Sequence, residues 1–251
     1  MRSVLYHIKS LLKRAWLIGE TSEDYVKRLR NHGIRIGKNV NFRFPYHTNI
    51  DMTRPCLIEF GDNIDINDNF TVMTHDFGTF VFREKYGDFV NCSGKVSIGS
   101  NIVIGRDVTI LKGVTIGDNS IIGLGSIVSK SIPSNSVAVG SPAHVICSID
   151  EYYQKRKTLQ VEEALEYGCE LANFKGGLDM LSISDFTEEW TLFLSEEEYN
   201  LNKSIRREVD SRLKGKVDIA EYLNRPRPYS FYNEFIEAIR LVLKKTKQNN
   251  L

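Results

Sequence analysis

The sequence has no dominant charge: 33 basic residues stand against 32 acidic ones, for a net charge of +1. That balance leaves no bulk field to gather polyanions, so no nucleic-acid partner is expected. Cysteine is scarce and scattered. Cys56, Cys92, Cys147 and Cys169 form no CxxC pair, and a reduced, cytoplasmic protein is a simpler reading than a disulfide scaffold. No apolar run is long enough to span a bilayer. The opening "MRSVLYHIKSLLKRAWLIG" puts basic residues where a secretory core is apolar, so no signal peptide is read. Histidine is also sparse. His75 is the only one between residues 48 and 143, which disfavours a zinc site built on several histidines, and no metal is expected. No GxSxG elbow is present, so no nucleophilic serine of that kind is expected.

What is present is an ordinary globular composition, 41% apolar and 26% charged over 251 residues, enough for one domain or two. A period of six organises the middle of the chain. From Ile98 it reads IGSNIV, IGRDVT, ILKGVT, IGDNSI, IGLGSI and VSKSIP, with an aliphatic residue at Ile98, Ile104, Ile110, Ile116, Ile122 and Val128. A fainter stretch of the same period starts at Phe60, Ile66 and Val72, and "IRIGKNVNF" at 34–42 is an earlier fragment. Period six fits neither a helix nor a long alternating strand. It fits a short strand plus a tight turn, with the aliphatic residue pointing into a shared core and Gly-Asp and Asp-Asn pairs making the turns. Three such units close a triangular coil, and stacked coils make a parallel β-helix with an interstrand spacing of about 4.8 Å.

Residues 98–146, closing with "SIPSNSVAVGSPAHVI", resemble the hexapeptide-repeat acyltransferases, the family of the maltose, galactoside and polysaccharide O-acetyltransferases. The resemblance covers roughly residues 34–147. It implies a left-handed β-helix, a hand that the period alone does not give. It also implies homotrimers with active sites between subunits, acetyl-CoA as co-substrate and a carbohydrate acceptor. The expected class is mainly β: a helical segment over 1–33, a β-helix over 34–148 and a mostly α-helical extension over 149–251.

The same resemblance gives "TVMTHDFG" (71–78) its meaning. The family's catalytic histidine ends a hexad just before a loop leaves the coil, and His75 has that position. An imidazole with an ordinary pKa near 6.5 suits the task of removing a hydroxyl proton and returning it to a departing thiolate. A backbone N–H of a neighbouring coil is the simplest oxyanion donor. Three residues are candidates to orient the ring or contact the acceptor: the adjacent Asp76, and Asp51 and Asn49 about one coil upstream. Strand neighbours point to opposite faces, which weakens Asp76, and Asp51 or Asn49 could equally cap a turn. Residues 77–94 break the register and carry Phe77, Phe80, Phe82, Tyr86 and Phe89. Such an excursion would shield a thioester and offer Phe77, Phe80 and Tyr86 to a sugar, or bury these rings against the next subunit.

Carried over by motif, Gly105, Arg106, Leu124, Ser129 and Lys130 fall on the donor path. Lys130 is a point charge for a phosphate or simply a solvated lysine. Val103 replaces a frequent tryptophan of the family, and His144 stands where arginine or lysine often meets the cofactor. Within 1–33, a basic amphipathic helix over residues 4–16 can lie on the inner face of a membrane, although packing on its own protein is commoner. A second helix, "TSEDYVKRLRNHG", stops at Gly33. In the extension, "SIDEYYQKRKTLQVEEALEYG" reads as helix, "SEEEY" opens with a capping box at Ser195 and Glu198, and "RPRPYS" precedes an amphipathic helix. The rival functions are N-acetylation of a nucleotide-linked amino sugar on the same fold, a zinc carbonic anhydrase, and a non-catalytic β-helical scaffold.

Overall fold

A computed structural model describes residues 19–213 and 215–249. The amphipathic stretch at 4–16, and the membrane contact expected from it, lie outside these residues. The chain divides into two compact units, with the division after Tyr153.

The first unit begins with helix α1 (Ser22–Asn31). Thr21 caps it by accepting the Asp24 N–H at 3.2 Å, Glu23 and Asp24 face the positive end of its dipole, and Gly33 turns the chain out at φ +97°. Its buried face, Tyr25, Val26 and Leu29, joins the core beneath.

Short strands follow, from β1 (Arg35–Ile36) and β2 (Val40–Phe42) to β13 (Ser136–Gly140) and β14 (Ala143–Ser148). They form three sheets, and each strand from β1 to β9 pairs in parallel with the strand three places along. The chain therefore visits three faces in turn and climbs one strand spacing per circuit. Register brings Ile66, Ile104 and Ile122 into one column and Val72, Ile110 and Val128 into another. All six are fully buried, the inward role that the period assigned to aliphatic residues. Only β14 runs antiparallel, closing the stack on β13.

One corner between faces requires a left-handed backbone at every level, and asparagine fills it. Asn39, Asn63, Asn101, Asn119 and Asn135 have φ between 55° and 59°. Asparagine tolerates this conformation because its short amide can hydrogen-bond locally. Here the amides also bond up the column: each Nδ2 donates to the Oδ1 of the next asparagine at 3.0–3.1 Å.

The second unit has a core of its own. Helix α3 (Ile149–Lys175) starts at the end of the first unit and runs past Gly168. A Cβ at Gly168 would stand 2.3 Å from Ile239 Cδ1, so glycine is what lets the last helix (Tyr232–Asn249) approach. Phe186, Phe193 and Phe235 are fully buried in this core, with the rings of Phe193 and Phe235 stacked at 5.0 Å. The capping box at Ser195 and Glu198 is present and opens helix α4 (Glu196–Leu201). Among the described residues no helix is long and apolar enough to cross a membrane.

Candidate active site

Strands of the third face, β3 (Asn49–Ile50), β6 (Thr71–Val72), β9 (Thr109–Ile110) and β12 (Ile127–Val128), all deliver the chain to one corner. Backbone bonds stack that corner: Asp51 N–H donates to Val72 O, Met73 N–H to Ile110 O and Leu111 N–H to Val128 O, at 3.0, 2.9 and 3.0 Å. Asp51, His75, Lys112, Ser129 and Lys130 thus follow one another along a single edge of the coil. After β6 the edge opens into the expected excursion, which rejoins the coil where Gly94 N–H donates to Thr74 O at 2.9 Å.

His75 meets Asp51 at this edge. Its Nδ1 lies 2.7 Å from Asp51 Oδ2, with the two side chains 13% and 3% exposed. Asp51 is saturated with donors. Oδ1 accepts from Thr53 N–H at 3.0 Å and Thr53 Oγ1 at 2.6 Å. Oδ2 accepts from Thr74 N–H at 3.1 Å, from the Thr74 hydroxyl and from His75. Burial works to raise this carboxyl's pKa, but the bonds from Thr53, Thr74 and His75 outweigh it and hold the group well below the ordinary carboxylate range. An ionised carboxylate only accepts, so the ring donates from Nδ1, and in the neutral imidazole Nε2 carries the lone pair. Among the described residues no side chain or backbone group is bonded to Nε2, and the Phe77 and His75 rings lie in a T-shaped arrangement with centroids 5.2 Å apart.

Asp76, the adjacent candidate to orient His75, makes no hydrogen bond to it among the described residues. Its carboxylate is taken by the Lys112 ammonium and by Gly78 N–H at 3.0 Å. These bonds, led by the one from Lys112, depress its pKa. The residue pins the start of the excursion instead, and its own N–H donates to Cys92 Sγ at 3.2 Å near the excursion's return. Within the excursion, helix α2 (Thr79–Tyr86) buries none of its side chains, and Phe77, Phe80, Tyr86 and Phe89 are largely exposed. Asn49 is exposed on the third face, paired with Thr71, and touches neither Asp51 nor His75 through a side-chain bond.

The expected donor-path residues do not gather at one place within the chain. Ser129 and Lys130 share the His75 edge. Gly105, Arg106 and Leu124 sit at a different corner, where the second face turns into the third. There Gly105 N–H donates to Ile122 O, Gly125 N–H donates to Arg106 O, and a Cβ at Gly105 would meet Leu124 N at 2.6 Å. Leu124 is 75% exposed. His144 lies on β14, paired with Val139. The Arg106 corner also borders a cleft of about 870 Å³ lined by Arg43, Phe44, Tyr46 and Asp68, in which Asp68 accepts from His47 at 2.6 Å and Arg106 at 3.2 Å. Among the described residues no group of three or more histidines, cysteines or acids is placed to hold a metal ion.

Thr53, Thr74 and Lys112 were not singled out in the sequence. A usable signal existed for two of them: a hydroxyl residue two places after Asp51 and another immediately before His75, each positioned to bond a carboxylate locally or across one coil.

No protein-family model matches the chain. Protein CapG of Staphylococcus aureus is 37% identical over 134 residues, 53% of this chain and 75% of that protein. Galactoside O-acetyltransferase of Escherichia coli K12 is 40% identical over 154 residues, 59% of this chain and 73% of that protein. Among solved structures, a maltose O-acetyltransferase from Clostridium difficile 630 aligns with 28% identity over 54% of this chain and 81% of its own, at a TM-score of 0.37. The fold and the sequence relatives together define a transferase of the acetyltransferase class. The chain belongs to the hexapeptide-repeat acyltransferase family, beside the sugar O-acetyltransferases of the galactoside type.

Proposed function

We propose that this chain is an acetyl-CoA-dependent O-acetyltransferase that acylates a hydroxyl of a sugar or surface polysaccharide, with His75 as general base in a direct transfer. One observation carries the reading: a buried aspartate that accepts from Thr53 and Thr74 also meets His75 Nδ1 at 2.7 Å, leaving Nε2 without a partner among the described residues, at the point where the aromatic excursion leaves the coil. The kinship with a galactoside O-acetyltransferase supports the choice of hydroxyl and sugar.

In this reading Nε2 accepts the acceptor's hydroxyl proton as that oxygen bonds to the acyl carbon. The imidazolium so formed is compensated by Asp51, which stays ionised throughout. His75 then returns the proton to the sulfur as its bond to the acyl carbon breaks, and the ring is restored. Acetyl-CoA supplies the acyl group in thioester form. The residues present suit such a donor: Lys130 would offer a charge to its phosphates on the His75 edge, and Leu124, exposed at the Gly105 corner, would offer an apolar surface to an extended arm.

His75 and the Gly105–Leu124 corner are on different edges of one chain, which supports a site completed by a second copy. A symmetric homotrimer of left-handed coils, with His75 of one subunit facing the Leu124 corner of the next, brings them together. The exposed rings of the excursion then have a surface to cover or an acceptor to stack on. The test is consumption of acetyl-CoA against free sugars, amino sugars, nucleotide sugars and capsular oligosaccharides, by wild type and His75→Ala. Transfer to a hydroxyl that His75→Ala abolishes is expected. Transfer that His75→Ala leaves unchanged removes the base, and no transfer to any acceptor leaves a scaffold.

A further inference from the structure

Thr74 is fully buried, and three of its groups are committed at once. Its N–H and hydroxyl both go to Asp51 Oδ2, and its carbonyl takes the Gly94 N–H that closes the excursion. Thr53 supplies the matching pair to Oδ1. A buried carboxylate facing an imidazole has two ways to lose its orienting role. It can take up a proton and become a donor, or it can rotate so that Oδ2 no longer meets Nδ1. Two hydroxyl donors oppose both, because each is lost if the carboxyl protonates on that oxygen or turns about its bond to Cβ.

We infer that Thr74 and Thr53 are positioning residues: their hydroxyls clamp Asp51 as a fixed anion and so restrict neutral His75 to the Nδ1–H form, leaving Nε2 as its only basic nitrogen. The inference deepens the proposed function and rests on His75 being the base. It also assigns the proton: Asp51 has no lone pair left to receive one, so His75 alone carries it between acceptor and leaving sulfur. Because the Thr74 carbonyl anchors the excursion, the clamp and the loop base share one residue.

The groups facing the clamp come from several elements, and none competes for Asp51. Asp76 is held by Lys112, Cys92 Sγ accepts the Asp76 N–H, and the Phe77 ring meets His75 edge-on. Valine in place of threonine keeps the branched shape and removes only the hydroxyl, whereas serine keeps the hydroxyl.

The test reads the imidazole directly, by ¹⁵N NMR of selectively histidine-labelled full-length protein, with the His75 signal assigned by its loss in His75→Gln. In wild type and Thr74→Ser a single Nδ1–H tautomer is expected above the titration of the ring. In Thr74→Val a mixture with the Nε2–H form is expected, with kcat for acetyl transfer about tenfold lower, KM for acetyl-CoA within twofold and Thr74→Ser near wild type. Thr53→Val gives the same pattern more weakly and serves if Thr74→Val does not fold. A single unchanged tautomer with unchanged kcat in both valine variants overturns the clamp. The tautomer is measured without substrate, so absence of acetyl transfer in the wild type would count against the proposed function and leave the clamp to the NMR result.

Discussion

Asp51 and His75 are 24 positions apart in the chain and 2.7 Å apart in space, joined across one level of the coil by a carboxylate–imidazole hydrogen bond. The bond fixes which nitrogen of the ring is basic, and four further donors on the same carboxylate fix the bond.

Replacing His75 by Gln keeps a polar side chain at the mouth of the excursion but removes the proton acceptor. We expect kcat to fall by about 10²–10⁴-fold with the thermal midpoint nearly unchanged. Steady-state kinetics alongside a melting curve check this, and a kcat within threefold of wild type removes His75 from the chemistry.

Asp51→Asn presents an amide that can donate toward Nδ1 and so favours the wrong tautomer. A loss in kcat of about 10²-fold or more is expected. The folded-state pKa of Asp51 lies below its unfolded value, so its contribution to stability is fully present above about pH 4 and is lost as pH falls further, through the folded-state value. The stability gap between wild type and Asp51→Asn should therefore be widest near neutral pH and narrow on acidification. Urea midpoints at pH 7 and pH 3.5 measure it, and a gap that widens in acid contradicts the assignment.

His75→Ala and Leu124→Arg change different edges of the coil. If the site lies between subunits, each variant alone is inactive, while subunits refolded as an equal mixture regain roughly a quarter of wild-type activity. A mixture as inactive as its components places both residues in one subunit's own site, and a Leu124→Arg variant that is active alone rules out Leu124.

Ile110 is fully buried in a column with Val72 and Val128, so Ile110→Ala should cost about 2–5 kcal/mol of unfolding free energy. Val103, half exposed on a strand between two buried isoleucines, should tolerate alanine within about 0.5 kcal/mol. Denaturant titration of both variants separates inward from outward positions. Equal costs would mean that the coil's register is other than described.

The repeat by itself determined the coil. An aliphatic residue every six positions can be buried on all three faces only if the chain turns at fixed intervals, and the asparagine column at one left-handed corner supplies that turn there without large strain. His75 was legible for a related reason, since it stands where the period fails. Which carboxylate serves it was not legible. Asp76 is next in sequence but is drawn to Lys112. Asp51 reaches His75 because the circuit between them carries a short helical turn at Pro55–Leu57: strands on this face pair 22 residues apart there, Asn49 with Thr71, where a later pair, Thr109 with Ile127, is 18 apart. Counting hexads cannot foresee that offset; hydrogen bonding between stacked levels decides it. Similarly, residues ascribed to one donor path separate onto two edges, because a triangular section sends strands close in sequence to different faces. The helical unit shows the same limit: its period gave the helices, but only packing decided that Gly168 would admit Ile239 and that Phe186, Phe193 and Phe235 would form a core apart from the coil.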